Sequence, residues 1–440
     1  MDRTHPINQM EKFSVGNEEQ IDFENKLKTA YEEFKEKVSE AELLRFQSFI
    51  KSVHENAWQV IEGKSDKLEY PEFAWALSIL EPELSSLPPL PKTKYGWIKL
   101  AIELRKLLEE LPKVMGDGSI VGFGKWEQLD IGWAECVLSW LKNYHTPFIT
   151  NPVHNTIPDK VSLCIAGDWG TGEWREDPKG PSQLVGEQIA KLKPDITLHL
   201  GDVYYAATQT EEQNNLINIW PSGNEGSYTL NSNHEMFDGP ISYYDALNTH
   251  FTNQGGCSYF LLENSNWLFV GLDSAYHADR NDLYLTGNLG DDQINWLKGL
   301  PPKQGIIITS HHNGYELKGA EMMALYSQVM DALNGEDGKC RYQNVYWYWG
   351  HEHNAVAYKD RQANGATLKT RCIGHGALPY GIASELEGHP KVTWFETQSA
   401  NDPDIPLRVL CGFAHVQLDG AKLTEAFIGE DGSVRWSQDR

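Results

Sequence analysis

The chain is short of the features that mark secreted, membrane-spanning or polyanion-binding proteins. It has six cysteines in 440 residues, Cys136, Cys164, Cys257, Cys340, Cys372 and Cys411, and no two form a Cys-x-x-Cys pair. They are scattered, most of them in apolar runs such as Leu163-Cys164-Ile165 and Leu410-Cys411-Gly412. They read as buried thiols acting as small hydrophobes, not as a disulfide or zinc framework. That usage favours a reducing compartment. No stretch reaches the roughly 18 apolar residues of a membrane-spanning helix. Met1-Asp2-Arg3-Thr4-His5-Pro6 lacks the apolar run of a secretory signal, so a cytoplasmic protein is expected. Basic charge is scarce as well: 38 Lys and Arg face 62 Asp and Glu, for a formal charge of −24. Over most of its surface such a molecule repels nucleic acid and anionic lipid. Phosphate chemistry is not excluded, because exposed charges are screened beyond about 8–10 Å and cations clustered in a cleft attract phosphate locally.

A chain of this length fits two domains. From 21 to about 63 the residues Phe23, Leu27, Tyr31, Phe34 and Val38 step by three or four, which predicts an amphipathic helix broken once. Ser85-Ser86-Leu87-Pro88-Pro89-Leu90-Pro91 reads as a linker or rigid turn, since proline lacks the helix donor. Trp97, Leu100, Ala101, Leu104, Leu107, Leu108 and Leu111 form the stripe of a further helix. Trp133, Val137, Leu138 and Leu141 form another. These stripes read as core, and Trp58, Trp75, Trp97 and Trp126 are numerous enough for a sizeable helix-on-sheet interface. Residues 1–152 are thus expected to be a helical domain without a catalytic constellation, fit either to cap a cleft or to dock a protein partner.

After Pro158 the period changes. Short apolar runs at 161–166, 196–200, 267–272, 306–309 and 345–349 predict strands, with helices at 182–191 and 291–297 between them and a hairpin in the tail around Glu430-Asp431-Gly432. Five polar segments recur at such positions: Gly167-Asp168-Trp169-Gly170, Gly201-Asp202-Val203-Tyr204-Tyr205, Asn233-His234-Glu235, Ser310-His311-His312 and Gly350-His351-Glu352-His353. Alone, each is a common turn or surface pair. Together they place carboxylate, amide and imidazole donors on convergent loops, as a metal cage requires.

From 153 to the C-terminus, the set resembles the calcineurin-like metallophosphoesterases, and among these the purple acid phosphatases. Gly170, where most members carry a histidine, and Tyr205, three residues after Asp202, carry the second likeness. Ser232 departs from the glycine usual before Asn-His, and a slight shift of that loop is expected. The resemblance implies an α/β fold, a two-sheet sandwich flanked by helices, for residues 153–440. It implies a dinuclear-metal phosphoric ester hydrolase, foremost a phosphomonoesterase. A phosphodiesterase acting on nucleotides or lipid headgroups, or a metal-bound partner-binding module, are the alternatives. In that picture Asp168, Tyr205 and His353 bind the first ion, Asp202 bridges, and Asn233, His311 and His351 bind the second. Hard oxygen donors suit Fe(III) at the first site, and the nitrogen-richer second suits Fe(II), Zn(II) or Mn(II). His234 would be catalytic, facing the phosphate with Glu235 or another carboxylate as orienting partner. The expected substrate is a small phosphorylated molecule, with His312 and His375 near it. Tyr204 and His199 are expected to be buried, and His277 to be a loop histidine.

Overall fold

The computed structural model describes residues 17–61, 64, 77, 80, 112–121, 126, 133–143, 146–175 and 178–438. The expected linker at 85–91, the helix expected at 97–111 and Trp75 lie outside the described residues. The chain divides into two compact units. One holds Met1–Met115, Ser119–Tyr144 and Arg280–Leu283, the other Gly116–Gly118, His145–Asp279 and Tyr284–Arg440.

In the first unit, α1 (Asn17–Lys37) and α2 (Glu40–Ile61) follow one another. The break between them is a capping box: the Glu42 amide donates to the Ser39 hydroxyl at 3.3 Å, and the Ser39 amide donates to the Glu42 carboxylate at 2.9 Å. Leu27, Tyr31 and Phe34 on α1, and Phe46, Ile50, Val53 and Ala57 on α2, are buried at helical spacing. A short antiparallel ladder joins β1 (Lys113–Val114) to β2 (Ile120–Val121). On α3 (Ala134–Lys142) the Trp140 ring packs 4.9 Å from Phe34 and 4.5 Å from Phe46.

The second unit begins with β3 (His154–Thr156), β4 (Lys160–Ala166), α4 (Pro181–Leu192), β5 (Ile196–His199) and β6 (Gly226–Thr229). Next come α5 (Asn233–Phe237), α6 (Ile241–Thr249), β7 (Phe260–Glu263), β8 (Trp267–Gly271), α7 (Asp291–Lys298) and β9 (Gly305–Ser310). The remainder comprises α8 (Ala324–Leu333), β10 (Asn344–Trp349), β11 (Ala355–Tyr358), β12 (Arg361–Ala363), β13 (Ala366–Ile373) and β14 (Val392–Phe395). It closes with β15 (Gly412–Asp419), β16 (Lys422–Gly429) and β17 (Val434–Ser437). The strand order is β14-β11-β13-β10-β9-β8-β7-β3 in one sheet, with β12 on β13, and β17-β16-β15-β4-β5-β6 in the other. The expected tail hairpin around Glu430-Asp431-Gly432 is β16 and β17, and β16 also pairs with β15, which in turn pairs with β4.

Alternation along the strands sets the layers. Val161, Leu163 and Ile165 of β4 join Ile307 of β9, Tyr346 and Tyr348 of β10 and Val416 of β15 in the core between the sheets. Cys164 and Ala166 turn the other way, onto Val185 and Ile189 of α4 and Leu247 of α6. On the opposite sheet Ile306, Ile308, Val345 and Trp347 pack against Leu297 of α7 and Leu325 and Val329 of α8. The unit is therefore a mixed α/β sandwich with helices on both outer faces. A fully buried ion pair joins the sheets: Arg371 of β13 donates to Glu425 of β16 at 2.6 Å, and the Tyr348 hydroxyl donates to the same carboxylate at 2.5 Å. Cys164, Cys257, Cys372 and Cys411 are buried thiols. Among the described residues, no helix is long and apolar enough to cross a membrane.

Candidate metal centre

Within the sandwich β4, β5 and β6 run parallel in one sheet, and β9 and β10 run parallel in the other. The five motif segments all leave the carboxyl ends of these strands, so their loops meet at one end of the sandwich. Three donors sit in the left-handed backbone region: Asp168 (φ 56°), Asp202 (φ 76°) and His351 (φ 65°). Non-glycine residues there cost ~1–3 kcal/mol each, and such strain concentrates at functional sites. Gly170 has a steric reason. A Cβ at that position would stand 2.5 Å from the Asp202 carbonyl oxygen, so a histidine cannot occupy it without parting the two loops.

Asp202 lies at the middle of the cluster. Its Oδ1 accepts from the Ser232 hydroxyl at 2.5 Å and is 3.3 Å from His311 Nε2. Its Oδ2 accepts from the Tyr204 hydroxyl at 2.9 Å, with His234 Nε2 at 3.9 Å and His353 Nε2 at 4.0 Å. Asp168 accepts the His351 backbone amide at 2.9 Å, and its Oδ1 is 3.4 Å from His353 Nε2. Burial and then the neighbouring Asp202 charge push the Asp168 carboxyl well above the usual carboxylate range. Burial opposes ionisation of Asp202 too, but His311 and His234 hold it well below. Two fully buried carboxyls with this split need a cation before both can ionise.

The imidazoles point to the same need. His311 Nδ1 is 3.0 Å from the Leu200 carbonyl, which only accepts, so the ring proton sits there. That leaves the lone pair of Nε2 facing Asn233 Oδ1 at 2.9 Å, His351 Nδ1 at 3.2 Å and Asp202 Oδ1 at 3.3 Å. Burial pushes His311 down to about 3 and His353 to about 4, so both are neutral ligands near pH 7. Donor atoms of Asp168, Asp202 and His311 lie within 4.8 Å of one another, as do those of His311, His312 and His351. The donor set thus fits metal ions. Lone pairs that converge on one point in this way suit a bound cation.

Four expectations meet a different arrangement. The resemblance puts the phenol on Tyr205, but the hydroxyl reaching Asp202 and His353 (3.2 Å) is that of Tyr204, which is fully buried. Tyr205 supplies backbone, its carbonyl taking the His234 Nδ1 proton and its amide donating to Glu211 at 2.5 Å. That carbonyl, not Glu235, orients His234. Glu235 bonds the Ser232 hydroxyl and the Asp202 amide, and burial, then Asp202, push it up to about 8. His312 is not a substrate contact as it stands. Both of its ring nitrogens are engaged, Nδ1 with the Ser274 hydroxyl at 2.9 Å and Nε2 with the Tyr284 carbonyl at 2.8 Å. His375 is 3% exposed, its ring set among Tyr380 and Phe427, so apolar packing removes it from any cleft.

His199 is buried, as expected, with Nδ1 on Thr229 and its ring against Trp220. His277 packs edge-on to Phe148. Ser232 is the residue the sequence reading undervalued. It N-caps α5 by accepting the His234 amide at 3.0 Å and also accepts the Asp202 amide at 3.1 Å. The signal was present as Ser232-x-x-Glu235, a capping-box pattern.

No family model matches the chain, and no curated protein matches it. Three solved structures show a distant likeness. GAP50, the anchor in the inner membrane complex of Plasmodium, is 14% identical, with 63% of this chain and 88% of its own covered and a TM-score of 0.40. A conserved uncharacterized protein from Streptococcus pneumoniae, described as a predicted phosphoesterase, is 9% identical over 63% of this chain and 98% of its own, with a TM-score of 0.25. Vps29 of Entamoeba histolytica, complexed with zinc, is 10% identical over 62% and 96%, with a TM-score of 0.24. At likenesses this distant, the chain's own geometry carries the functional reading.

Proposed function

We propose that this chain is a two-metal phosphoric ester hydrolase of the metallophosphoesterase type, acting on a small phosphorylated substrate, a monoester first of all. One observation supports this most: the lone pair of His311 Nε2 converges with ligand atoms of Asn233, Asp202 and His351 at 2.9–3.3 Å. In this reading Asn233, His311 and His351 hold one ion, Asp168 and His353 hold the other, and Asp202 serves both. The phenolate that the resemblance assigns to Tyr205 falls to Tyr204, whose hydroxyl lies on the Asp168 and His353 side. Fe(III) suits the oxygen-rich site and Fe(II), Zn(II) or Mn(II) the nitrogen-rich one. Bound there, such ions supply a hydroxide-like nucleophile at neutral pH and a clamp on the phosphate oxygens.

The protein's own groups do the remaining work. With His234 Nδ1–H given to the Tyr205 carbonyl, Nε2 is directed toward the centre, where it can stabilise transition-state oxygens or pass a proton to the leaving alkoxide. His353 is an open donor, its side chain 31% exposed, so substrate enters from its side. The test is release of nitrophenolate from nitrophenyl phosphate and from its bis-ester by metal-loaded wild type and Asp202→Asn. Turnover that requires both the metals and Asp202 supports the assignment. Faster cleavage of the bis-ester would make it a diesterase, and metal-loaded protein inert on both esters would overturn the hydrolase reading.

A further inference from the structure

His234 is oriented by a peptide group, and that peptide group is itself held by a carboxylate. His234 Nδ1 gives its proton to the Tyr205 carbonyl, and the amide at the other end of the same peptide, that of Ala206, donates to Glu211 Oε2 at 3.2 Å. In a trans peptide the carbonyl and the N–H point opposite ways, so carboxylate, peptide and imidazole stand in one chain of hydrogen bonds. Such chains polarise along their length, and both Ala206 and His234 are buried, where water damps the effect least. The carboxylate of Glu211 thus strengthens the acceptor that faces the ring.

Glu211 is fixed in turn by the local fold. It ends the α-helical turn Gln209–Glu211, which continues as a π-helical turn over Glu212–Ile217. Such π turns recur at functional sites. Thr208-x-x-Glu211 is a capping-box pattern, and Glu211 Oε2 accepts from the Thr208 amide at 3.0 Å and from its hydroxyl at 2.9 Å. Capping accounts for those two bonds but not for the other two, the Ala206 amide on Oε2 and the Tyr205 amide on Oε1 at 2.5 Å. Four residues further on, Asn215 donates to the Tyr204 carbonyl at 2.8 Å. Between them, Glu211 and Asn215 hold both peptide groups that flank Tyr205.

We propose that Glu211 is the carboxylate that positions His234, acting through the Tyr205–Ala206 peptide. It is a positioning residue, and the proposal rests on the reading of His234 as the group that faces the phosphate. Groups that orient the histidines of a metal site typically change activity by about 10–100-fold when removed.

The test has two readouts, both on full-length protein. Without metal, proton NMR of protein isotope-labelled at histidine reports the His234 Nδ1 proton, identified as the resonance that His234→Ala lacks. A bond to a polarised carbonyl moves this proton downfield, so Glu211→Ala is expected to move it upfield. With metal loaded, Glu211→Ala should lower kcat on nitrophenyl phosphate by about 10–100-fold, with KM and metal content near wild type. In a His234→Ala background the same change should cost almost nothing further, because Glu211 acts through that ring. If Glu211→Ala does not fold, Glu211→Gln, equal in size with one acceptor fewer, decides in its place. A resonance that stays in place, losses in kcat that add in full, or loss of metal from the variant overturn the positioning role. His234→Ala as active as wild type overturns the reading of His234, and the positioning role with it. Metal-loaded wild type inert on phosphate esters overturns the hydrolase reading, and the resonance then decides alone whether Glu211 holds the ring.

Discussion

The Tyr204 hydroxyl stands 2.9 Å from Asp202 Oδ2 and 3.2 Å from His353 Nε2, inside a site where burial and then Asp202 push its phenol well above the ordinary range. Only a strongly charged cation would draw off its proton. Iron-loaded protein is therefore expected to show a visible charge-transfer band that disappears in Tyr204→Phe and survives in Tyr205→Phe. The opposite pattern would return the ligand to Tyr205.

His234 holds its ring by a backbone carbonyl and reaches no closer than 3.9 Å to Asp202. His234→Ala should accordingly lower kcat by about 10²–10⁴-fold, the usual worth of a positioned proton donor, while the metal content stays as in wild type. Loss of metal along with activity would make His234 a ligand instead.

Ser232 both caps α5 and donates to Asp202. Ser232→Ala removes the cap and one hydrogen bond to the bridging carboxylate. Stability should fall by ~1–2 kcal/mol in urea unfolding, with weaker metal binding. A variant unchanged in both would mean that water replaces the hydroxyl.

His375 gives a pH prediction. Burial pushes it down to about 3 in the folded chain, against about 6.5 in the unfolded one. As the pH falls through this window the unfolded chain takes up a proton that the folded chain refuses. The contribution is therefore intact above about 6.5 and is lost toward 3, at ~1.4 kcal/mol per pH unit. The stability of His375→Phe relative to wild type should rise by ~3 kcal/mol between about pH 7 and pH 4. A difference constant with pH would show that His375 titrates normally.

Arg371 and Glu425 are both fully buried, so removing one charge strands the other. Glu425→Gln is expected to cost ~3–5 kcal/mol, read as a lowered unfolding midpoint. A melt within a degree or two of wild type would mean that the pair contributes little to joining the sheets.

Four of the motif-bearing strand ends were legible because β4, β5, β9 and β10 are largely buried and read as nearly unbroken apolar runs, whereas β6, Gly226-Ser227-Tyr228-Thr229 ahead of Asn233, carries no such run. Strands such as β12, Arg361-Gln362-Ala363, and the half-exposed β14 carry no such run and pass for loop. The resemblance puts a tyrosine near Asp202 and names Tyr205, whereas the ring that turns inward is that of Tyr204. The bridge of Gly170 to Val203 and the bond of His234 to the Tyr205 carbonyl, both long-range, accompany that arrangement. His312 and His375 were drawn toward the substrate by their places in the chain. Their side-chain partners, Ser274, Tyr284, Tyr380 and Phe427, come from segments that sequence alone does not bring together.

The most direct test of the account is the metal content of the full-length protein, loaded with iron and a divalent ion and then freed of excess, measured beside Asp202→Asn. The account predicts close to two ions per chain in wild type and a large loss from both sites in the variant, because Asp202 faces donors of both. A wild type that retains no metal, or an Asp202→Asn variant that retains as much as wild type, would contradict it.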